Sequence, residues 1–299
     1  MTEAYAPALI DIAGPSAQAL LRRRVLAHKG LLIGATVLVL IVLMAAVAPL
    51  LAPHDPYAQD LTRRLIPPIW HAKGTWAHPF GTDNLGRDYL SRVIYGARIS
   101  LLIGFAVMII SGLIGTTLGL AAGYFGGRVD MAVTFIITVR LAMPLILVAL
   151  AVVAMVGGSL WIVILVLGLL KWDRFAVVMR AATQQVRSLD YVAAAEATGA
   201  STARIIVGEV LPNVLPHLIV VASVEAASAI LLEAALSFLG LGVQPPLPSW
   251  GLMIAEAKTY MFFSFWLIAI PGTALATLVL IINMVGDGIR DVSAPGGRG

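Results

Sequence analysis

Residues able to do covalent chemistry are scarce in this sequence. It has no cysteine, so thiolate nucleophiles, thiolate metal sites and disulfides are excluded together. None of its four lysines, Lys29, Lys73, Lys171 and Lys258, follows a glycine. The glycine-lysine-serine/threonine turn that cradles nucleotide phosphates is therefore absent. The five histidines, His28, His54, His71, His78 and His217, fall at no spacing that predicts a metal site. Neither the HExxH zinc pattern nor the GxSxG nucleophile elbow occurs. The expectation is a chain with no catalytic residue and no metal or cofactor of its own.

Other residues are conspicuous for where they stand. Arg140 and Glu225 interrupt long apolar runs, and ionisable groups in such runs usually face a cavity or a partner. One reading puts both on a solute path, as a pair; the other has Arg140 reaching toward the end of its helix along its own aliphatic stem. Glu233, in the same run as Glu225, is read as an interhelical hydrogen-bonding group. Gly115, Gly119 and Gly123 form two successive GxxxG spacings, a pattern for close helix packing rather than chemistry. Pro144 and Pro271 are expected to kink their helices. The segment Gln244 to Trp250 reads as an external loop with Trp250 at headgroup level.

The stretch Asp190, Tyr191, Val192, Ala193, Ala194, Ala195, Glu196, Ala197, Thr198, Gly199, Ala200, Ser201 is polar, alanine-rich and bounded by turn residues. Asp190 can cap a short helix, the alanines favour it, and Gly199 can supply a left-handed exit. Ser201 can cap a second helix, expected to end at Leu211-Pro212. A small-residue face lets another surface approach closely, as a docking element requires. An ordinary helical hairpin accounts for the residues equally well.

The elements that hold these residues follow from composition. Of 299 residues 60% are hydrophobic and 12% charged, whereas soluble domains are about a quarter charged. Such a chain cannot cover its surface with polar groups, so lipid is its solvent. The formal net charge of +4 comes from scattered basic residues and carries no nucleic-acid footprint. The uncharged run Gly30 to Ala52 follows Arg22, Arg23, Arg24 and Lys29. It is longer than a signal h-region, about 7–15 residues, and reaches the about 20 residues that cross a bilayer; it is read as a retained helix despite the cleavage-like Ala46-Val47-Ala48. Five further spans are expected: Ile99 to Gly127, Met131 to Val156, one from Leu160 that meets Lys171, Asp173 and Arg174 after Leu170, Leu215 to Leu241, and Phe262 to Val285. Basic flanks at the amino terminus and at Arg180, Arg187 and Arg204 place both termini in the cytoplasm. The loop 53–95 and the following turn also carry basic residues, but long loops cross with little regard to charge. The expected layout is a cytoplasmic segment 1–29, a first helix 30–52, an external loop 53–95, a five-helix core 96–291 and a tail 292–299.

Against that background the polar stretch resembles the coupling loop of ABC importer permeases, which runs Glu-Ala-Ala, three residues, Gly, and later Leu-Pro. Here the pattern falls on Ala193, Ala194, Ala195, Gly199, Leu211 and Pro212, with Ala193 in place of the glutamate. Glu196, three positions on, is expected to take over part of that contact. The segment His78-Pro79-Phe80-Gly81-Thr82-Asp83-Asn84-Leu85-Gly86-Arg87-Asp88, then Gly96 to Leu101, resembles the core entry of dipeptide/oligopeptide/nickel permeases. So do Ser237 to Pro246, Pro248-Ser249-Trp250-Gly251, and Gly286-Asp287-Gly288-Ile289-Arg290-Asp291. The resemblance extends from Leu21 to Asp291, and the charged loop marks the C-type of the two membrane subunits.

The resemblance implies an all-α integral membrane protein of six transmembrane helices with type I ABC importer architecture, in a bacterial inner membrane. It implies a coupling loop at 188–212 contacting ATPases through Asp190, Tyr191, Ala193, Ala194, Ala195, Glu196, Gly199, Ala200 and Ser201. Partners would be a sister permease, two ATP-binding subunits that use ATP and Mg, and an external solute-binding protein, with alternating access as mechanism. Arg140 and Glu225 remain candidates for the path, and peptides lead nickel, glutathione-like compounds, opines and sugars as solute. A secondary transporter or channel would share the six spans but has no use for a coupling loop, and a membrane-embedded enzyme lacks its motifs.

Overall fold

In hydrocarbon an apolar run must satisfy its own backbone, which a helix does and a lone strand does not. The protein, seen here as a computed structural model that describes residues 17–293, is accordingly helical; among the described residues there is no strand, only two isolated bridges, Thr75 with His78 and Thr82 with Asp88. The far amino terminus and the tail from residue 294 lie outside the described residues.

Helix α1 (Ala17–Ala27) leads into α2 (Lys29–Ala46), started by the His28 ring, which accepts the Leu31 amide at 3.0 Å. A short α3 (Ala48–Leu51) closes the first apolar run. After the loop, α4 (Tyr89–Phe125) begins at Asp88, whose carboxylate accepts the Ser91 amide at 2.8 Å. Helices α5 (Gly127–Ala142) and α6 (Leu145–Val156) meet at 82° across Met143-Pro144, so Pro144 breaks its run rather than bending it gently. Ser159 caps α7 (Leu160–Leu170), and α8 (Asp173–Arg187) follows after one turn. Then come α9 (Asp190–Ala197), α10 (Thr202–Ile205), α11 (Leu211–Phe238), α12 (Trp250–Ala257) and α13 (Trp266–Ser293).

The helix opened by Ser201 does not end at Leu211-Pro212. A π turn over Ile206–Val210 carries it into α11, and Thr202–Phe238 forms one 37-residue helix. Pro212 falls in the first turn of α11, where its missing N–H matters least. Pro216 and Pro271 likewise lie inside helices that continue past them.

Among the described residues four helices are long and apolar enough to cross a membrane, five if the bent α5–α6 pair counts as one span. The expected fourth span falls short because α7 has 11 residues, about 16 Å against a hydrocarbon core of about 30 Å. Yet α7 and α8 together run the length of the bundle. At one end Gly158 adjoins Gly242 and Gln244; at the other Arg187 lies over the Tyr124 ring, 5.4 Å from its centroid.

At the centre is α4, packed against α2, α5, α7, α8 and α11. Its glycines stand where α8 approaches: a Cβ at Gly119 would lie 2.7 Å from the Ala176 oxygen and 2.8 Å from Met179 Cβ, and one at Gly123 would lie 2.6 Å from Thr183 Cβ. The GxxxG spacing therefore marks a real seam. Trp250 departs from its expected headgroup position. It is 2% exposed, its indole N–H donates to the Val93 carbonyl at 2.9 Å, and its ring fills the space above Gly96. The helix α12 returns to the bundle and carries the ring into the core, so the loop is folded inward.

The loop end is held by charge. Asp83 accepts Arg87 Nε at 2.6 Å and Arg92 Nη1 at 3.0 Å, while Glu256 accepts Arg92 Nη2 at 2.7 Å and Arg87 Nη2 at 3.1 Å. Burial pushes the Glu256 carboxyl above its ordinary range while Arg87 pulls it down, so its charge depends on the guanidiniums beside it. In the loop, the Thr62 hydroxyl and amide hold the Asp60 carboxyl below its ordinary range.

Gly119→Leu is expected to force α4 from α8 and cost about 1–3 kcal/mol or more, lowering the detergent-solubilised Tm. Gly272→Ala, where a Cβ meets nothing within 4 Å, should leave the Tm unchanged or raise it slightly.

Candidate functional site

Two places combine polar groups with access. The first is α9, at the end of the bundle opposite the residue 53–88 loop. Asp190 is not its cap: Leu189 holds that position without a side-chain bond, and Asp190 opens the first turn, where its charge favours the positive end of the helix. The exit is as the sequence reads. Gly199 has φ +80°, the Ala200 amide donates to the Ala195 carbonyl at 3.1 Å, and the Gly199 amide donates to Glu196 at 3.0 Å. This bond pair is the Schellman closure, which demands a residue tolerant of the left-handed conformation. Ser201 caps α10 by accepting the Arg204 amide at 3.4 Å.

Burial divides α9 into two faces. Val192 is buried among Tyr124, Met179, Val186, Ile205 and Val210, with Ala195 and Ala200 partly covered beside it. Asp190, Tyr191, Ala193, Ala194, Ala197 and Gly199 are exposed, as is Ser201. The result is a short helix, anchored from beneath, that offers small side chains and one tyrosine. Glu196 is exposed too and also accepts the Tyr124 hydroxyl at 3.2 Å, tying α9 to the end of α4. Sequence reasoning missed Tyr124 because nothing local marks a tyrosine 72 positions upstream as its partner.

The second place is a cavity of about 290 Å³ where α5, α6, α7, α8 and α11 converge, lined by Arg140, Lys171, Asp173, Arg174, Glu225 and Ser228 among others. Arg140 and Glu225 both border it but do not pair. Glu225, 1% exposed, meets Lys171 Nζ at 2.7 Å and Arg174 Nη1 at 3.4 Å, and Lys171 also donates to Ser228 Oγ at 2.9 Å. Arg140 does not pair with Glu225; it stands in the last turn of α5 and turns to backbone carbonyls. Its guanidinium donates through Nε to the Leu170 carbonyl at 2.7 Å, through Nη2 to the same oxygen, and through Nη1 to Met143 O at 3.4 Å. Those carbonyls belong to the end of α7 and the α5–α6 break, where backbone acceptors lack helical partners. Arg140 thus stitches two broken helices. The signal for Lys171 and Arg174 was present, since both interrupt the fourth apolar run, but only the fold shows that they turn toward Glu225.

Glu233 meets its expected structural role, accepting Ser237 Oγ at 2.7 Å within α11 and Ser249 Oγ at 3.0 Å at the start of α12. The histidines lack metal spacing in sequence, yet the fold gathers His54, His78 and Asp88 so that one ligand atom from each lies within 4.8 Å of the others. They could hold an ion by spacing, but Asp88 is already engaged by Ser91, through Oδ2, and by His78 Nδ1 at 2.8 Å, through Oδ1. The cluster serves as the cap of α4.

Comparison with known proteins adds the following. The family described as binding-protein-dependent transport system inner membrane component matches residues 115–298, and the N-terminal TM domain of oligopeptide transport permease C matches residues 18–68. The dipeptide transport system permease protein DppC of Haemophilus influenzae is 39% identical over 90% of this chain and 91% of its own length. The di/tripeptide transport system permease protein DppC of Pseudomonas aeruginosa is 42% identical over 90% of this chain and 88% of its own. Among solved structures, an inward-facing MetNI methionine ABC transporter chain superposes with a TM-score of 0.56 at 20% identity, covering 68% of this chain and 97% of that one. This last likeness is one of fold.

Removing the Tyr124–Glu196 bond is expected to be non-additive. Tyr124→Phe, Glu196→Ala and the double variant should each lower stability by a similar amount, about 0.5–1.5 kcal/mol, in a thermal double-mutant cycle. Strictly additive losses would show that the bond carries no energy.

Proposed function

The chain belongs to the family of binding-protein-dependent transport system inner membrane components, as a C-type permease subunit of an ABC importer, and from that premise we propose that it forms half of an ATP-driven path for peptides or similar small solutes. The exposed, small-residue face of α9 carries this reading. It is a rigid helix anchored by Val192 and by the Tyr124–Glu196 bond at one end of the bundle. In this reading Asp190, Tyr191, Ala193, Ala194, Ala195, Glu196, Gly199, Ala200 and Ser201 form the coupling surface, with the first two and the alanines at 193 and 194 meeting the partner and the rest holding the helix.

Two ATP-binding subunits, using ATP and Mg, supply the energy, because this chain has no glycine-lysine turn to hold phosphates. A sister permease completes the path and an external solute-binding protein delivers the solute. ATP binding favours the state in which the ATPases close, and α9 passes that displacement to α4 and α8, on which it sits. Arg140 and Glu225 border the path, Arg140 by holding its wall. The sixth crossing is made by α7 and α8 in series, their buried charges screened from lipid by α4, α5 and α11. The boundaries 1–29, 30–52, 53–95, 96–291 and 292–299 stand as the proposed layout.

Both termini are placed in the cytoplasm of a bacterial cell, with the residue 53–88 loop outside. Two observations support this orientation. His28 reaches Asp291 at 3.3 Å, bringing the ends of the described chain together. They meet at the α9 end of the bundle, where the ATPases dock in this reading. A secondary carrier or channel is disfavoured, because similarity over nearly the whole chain runs to importer permeases.

Affinity purification of the tagged chain from its native membrane in mild detergent is expected to recover a second permease and P-loop ATPases. Ala194→Arg, which puts a long cation on the exposed face of α9, should cut ATP-driven uptake in proteoliposomes at least about tenfold, equivalent to about 1.4 kcal/mol. A chain that is repeatedly recovered alone and moves solute without ATP would overturn the importer reading.

A further inference from the structure

An apolar groove of about 700 Å³ opens between α2 and α13, and it shares no lining residue with the charged cavity. Helix α2 contributes Ile41 and Met44, α13 contributes a face from Trp266 to Thr277, and the loop contributes Trp70 and Phe80, whose rings meet edge to face at 6.1 Å. Both helix walls belong to the halves nearer the loop. In the other halves the two helices touch closely. A Cβ at Gly34 would lie 3.2 Å from Val285 Cγ2, and one at Gly288 would lie 2.7 Å from Leu31 Cβ. The helices are in contact at one end and leave a groove at the other.

The surrounding residues set the depth of this groove in a bilayer. Phe262, Phe263 and Phe265, just before α13, are exposed, as are Trp70 and Trp76 in the loop. Exposed aromatic rings at the end of a membrane helix sit at headgroup level. From there the stretch Trp266 to Thr277 descends about 16 Å, at 1.5 Å per residue. One leaflet supplies about 15 Å of hydrocarbon, half of a core of about 30 Å. A groove one leaflet deep fits an acyl chain that enters at the interface and stops at the midplane. A partner's membrane helix would run on through the second leaflet.

The polar end of the ligand is named by Trp266. This residue opens α13 and lines the groove, and its buried indole N–H has no hydrogen-bond partner among the described residues. A buried indole N–H normally finds an acceptor. Hydrocarbon has none, and the carbonyls of a membrane helix are bonded within that helix. The ester carbonyl at the head of an acyl chain is free to accept, and it lies at the depth where α13 begins.

We propose that the groove between α2 and α13 binds one glycerophospholipid of the leaflet at the loop end, its acyl chain along Ile41, Met44 and Thr273 and its ester oxygen accepting the Trp266 N–H. The lipid completes the contact between α2 and α13 where their own side chains leave it open. Such a site requires only that the bundle spans a membrane, and it stands whatever solute the chain carries.

The full-length tagged chain, purified in mild detergent with the subunits that accompany it, is stripped of loosely held lipid. It is then given palmitoyl-oleoyl-phosphatidylglycerol or palmitoyl-oleoyl-phosphatidylethanolamine, and retained lipid is read by native mass spectrometry. Thr273→Phe, which puts a ring into the groove from an exposed position, is expected to lower retention at the site about tenfold. Trp266→Phe, which keeps a ring and removes the N–H, should lower it about threefold. Leu40→Phe, exposed on α2 and not lining the groove, should leave it unchanged. Undiminished retention in Thr273→Phe at an unchanged Tm overturns the site, and so does an equal loss in Leu40→Phe. Loss of a companion permease from the Thr273→Phe preparation, with lipid retention intact, also overturns it and makes the groove a subunit contact. If Thr273→Phe does not fold, Trp266→Phe decides, and undiminished retention there overturns the site.

Discussion

The close approach of α4 and α8 governs most of the arrangement. Gly115, Gly119 and Gly123 leave no side chains on one stripe of α4, and α8 settles there with Ala176, Met179 and Thr183 at backbone distance. In a membrane the hydrophobic effect does not drive one helix against another, so small residues and the dispersion contacts they permit must do so. The seam also sets the depth of α8. With the depth fixed, Lys171 and Arg174 arrive beside Glu225 at one end of α8, and Arg187 arrives over Tyr124 at the other. The charged cavity and the footing of α9 are both consequences of three glycines.

The two ends of the bundle are stabilised differently. At the loop end, Asp83, Glu256, Arg87 and Arg92 interlock the loop, α4 and α12, and Trp250 fills the space over Gly96. Removing one member of such a buried set leaves the others uncompensated, so this end is rigid. At the other end α9 rests on an apolar cluster and one neutral-to-charged hydrogen bond. A helix held this way can transmit a push along α4 and α8 without the breaking of a buried ion network.

Broken helices recur around the charged cavity and at the entry to α11. The α5–α6 break, the end of α7 and the π turn before α11 each free backbone groups that a continuous helix would satisfy. Arg140 answers two of these with one guanidinium. An arginine inside an apolar run thus need not touch solute: it can be the condition for keeping an opening in the helical wall.

Much was legible in the sequence. Apolar runs gave the helical class and lipid as solvent, since neither depends on partners distant along the chain. The helix at Asp190, its glycine exit and the cap at Ser201 are local hydrogen-bonding problems, solved by neighbouring residues. The GxxxG stripe showed that something packs closely there, though not that α8 does. Where expectation and structure parted, a distant partner decided. Trp250 belongs in the core because Gly96 and Val93 receive it. The proline at 212 does not end its helix, because a π turn and the packing of α11 absorb it. Residue types and local spacing alone determined that this chain is a bundle of membrane helices with a short polar helical turn at residues 190–201. Which charges meet in the cavity, and which face of α9 is free, only the tertiary structure decided, because those pairings join residues 50 or more positions apart, such as Lys171 with Ser228 and Tyr124 with Glu196, and helix packing sets their distance.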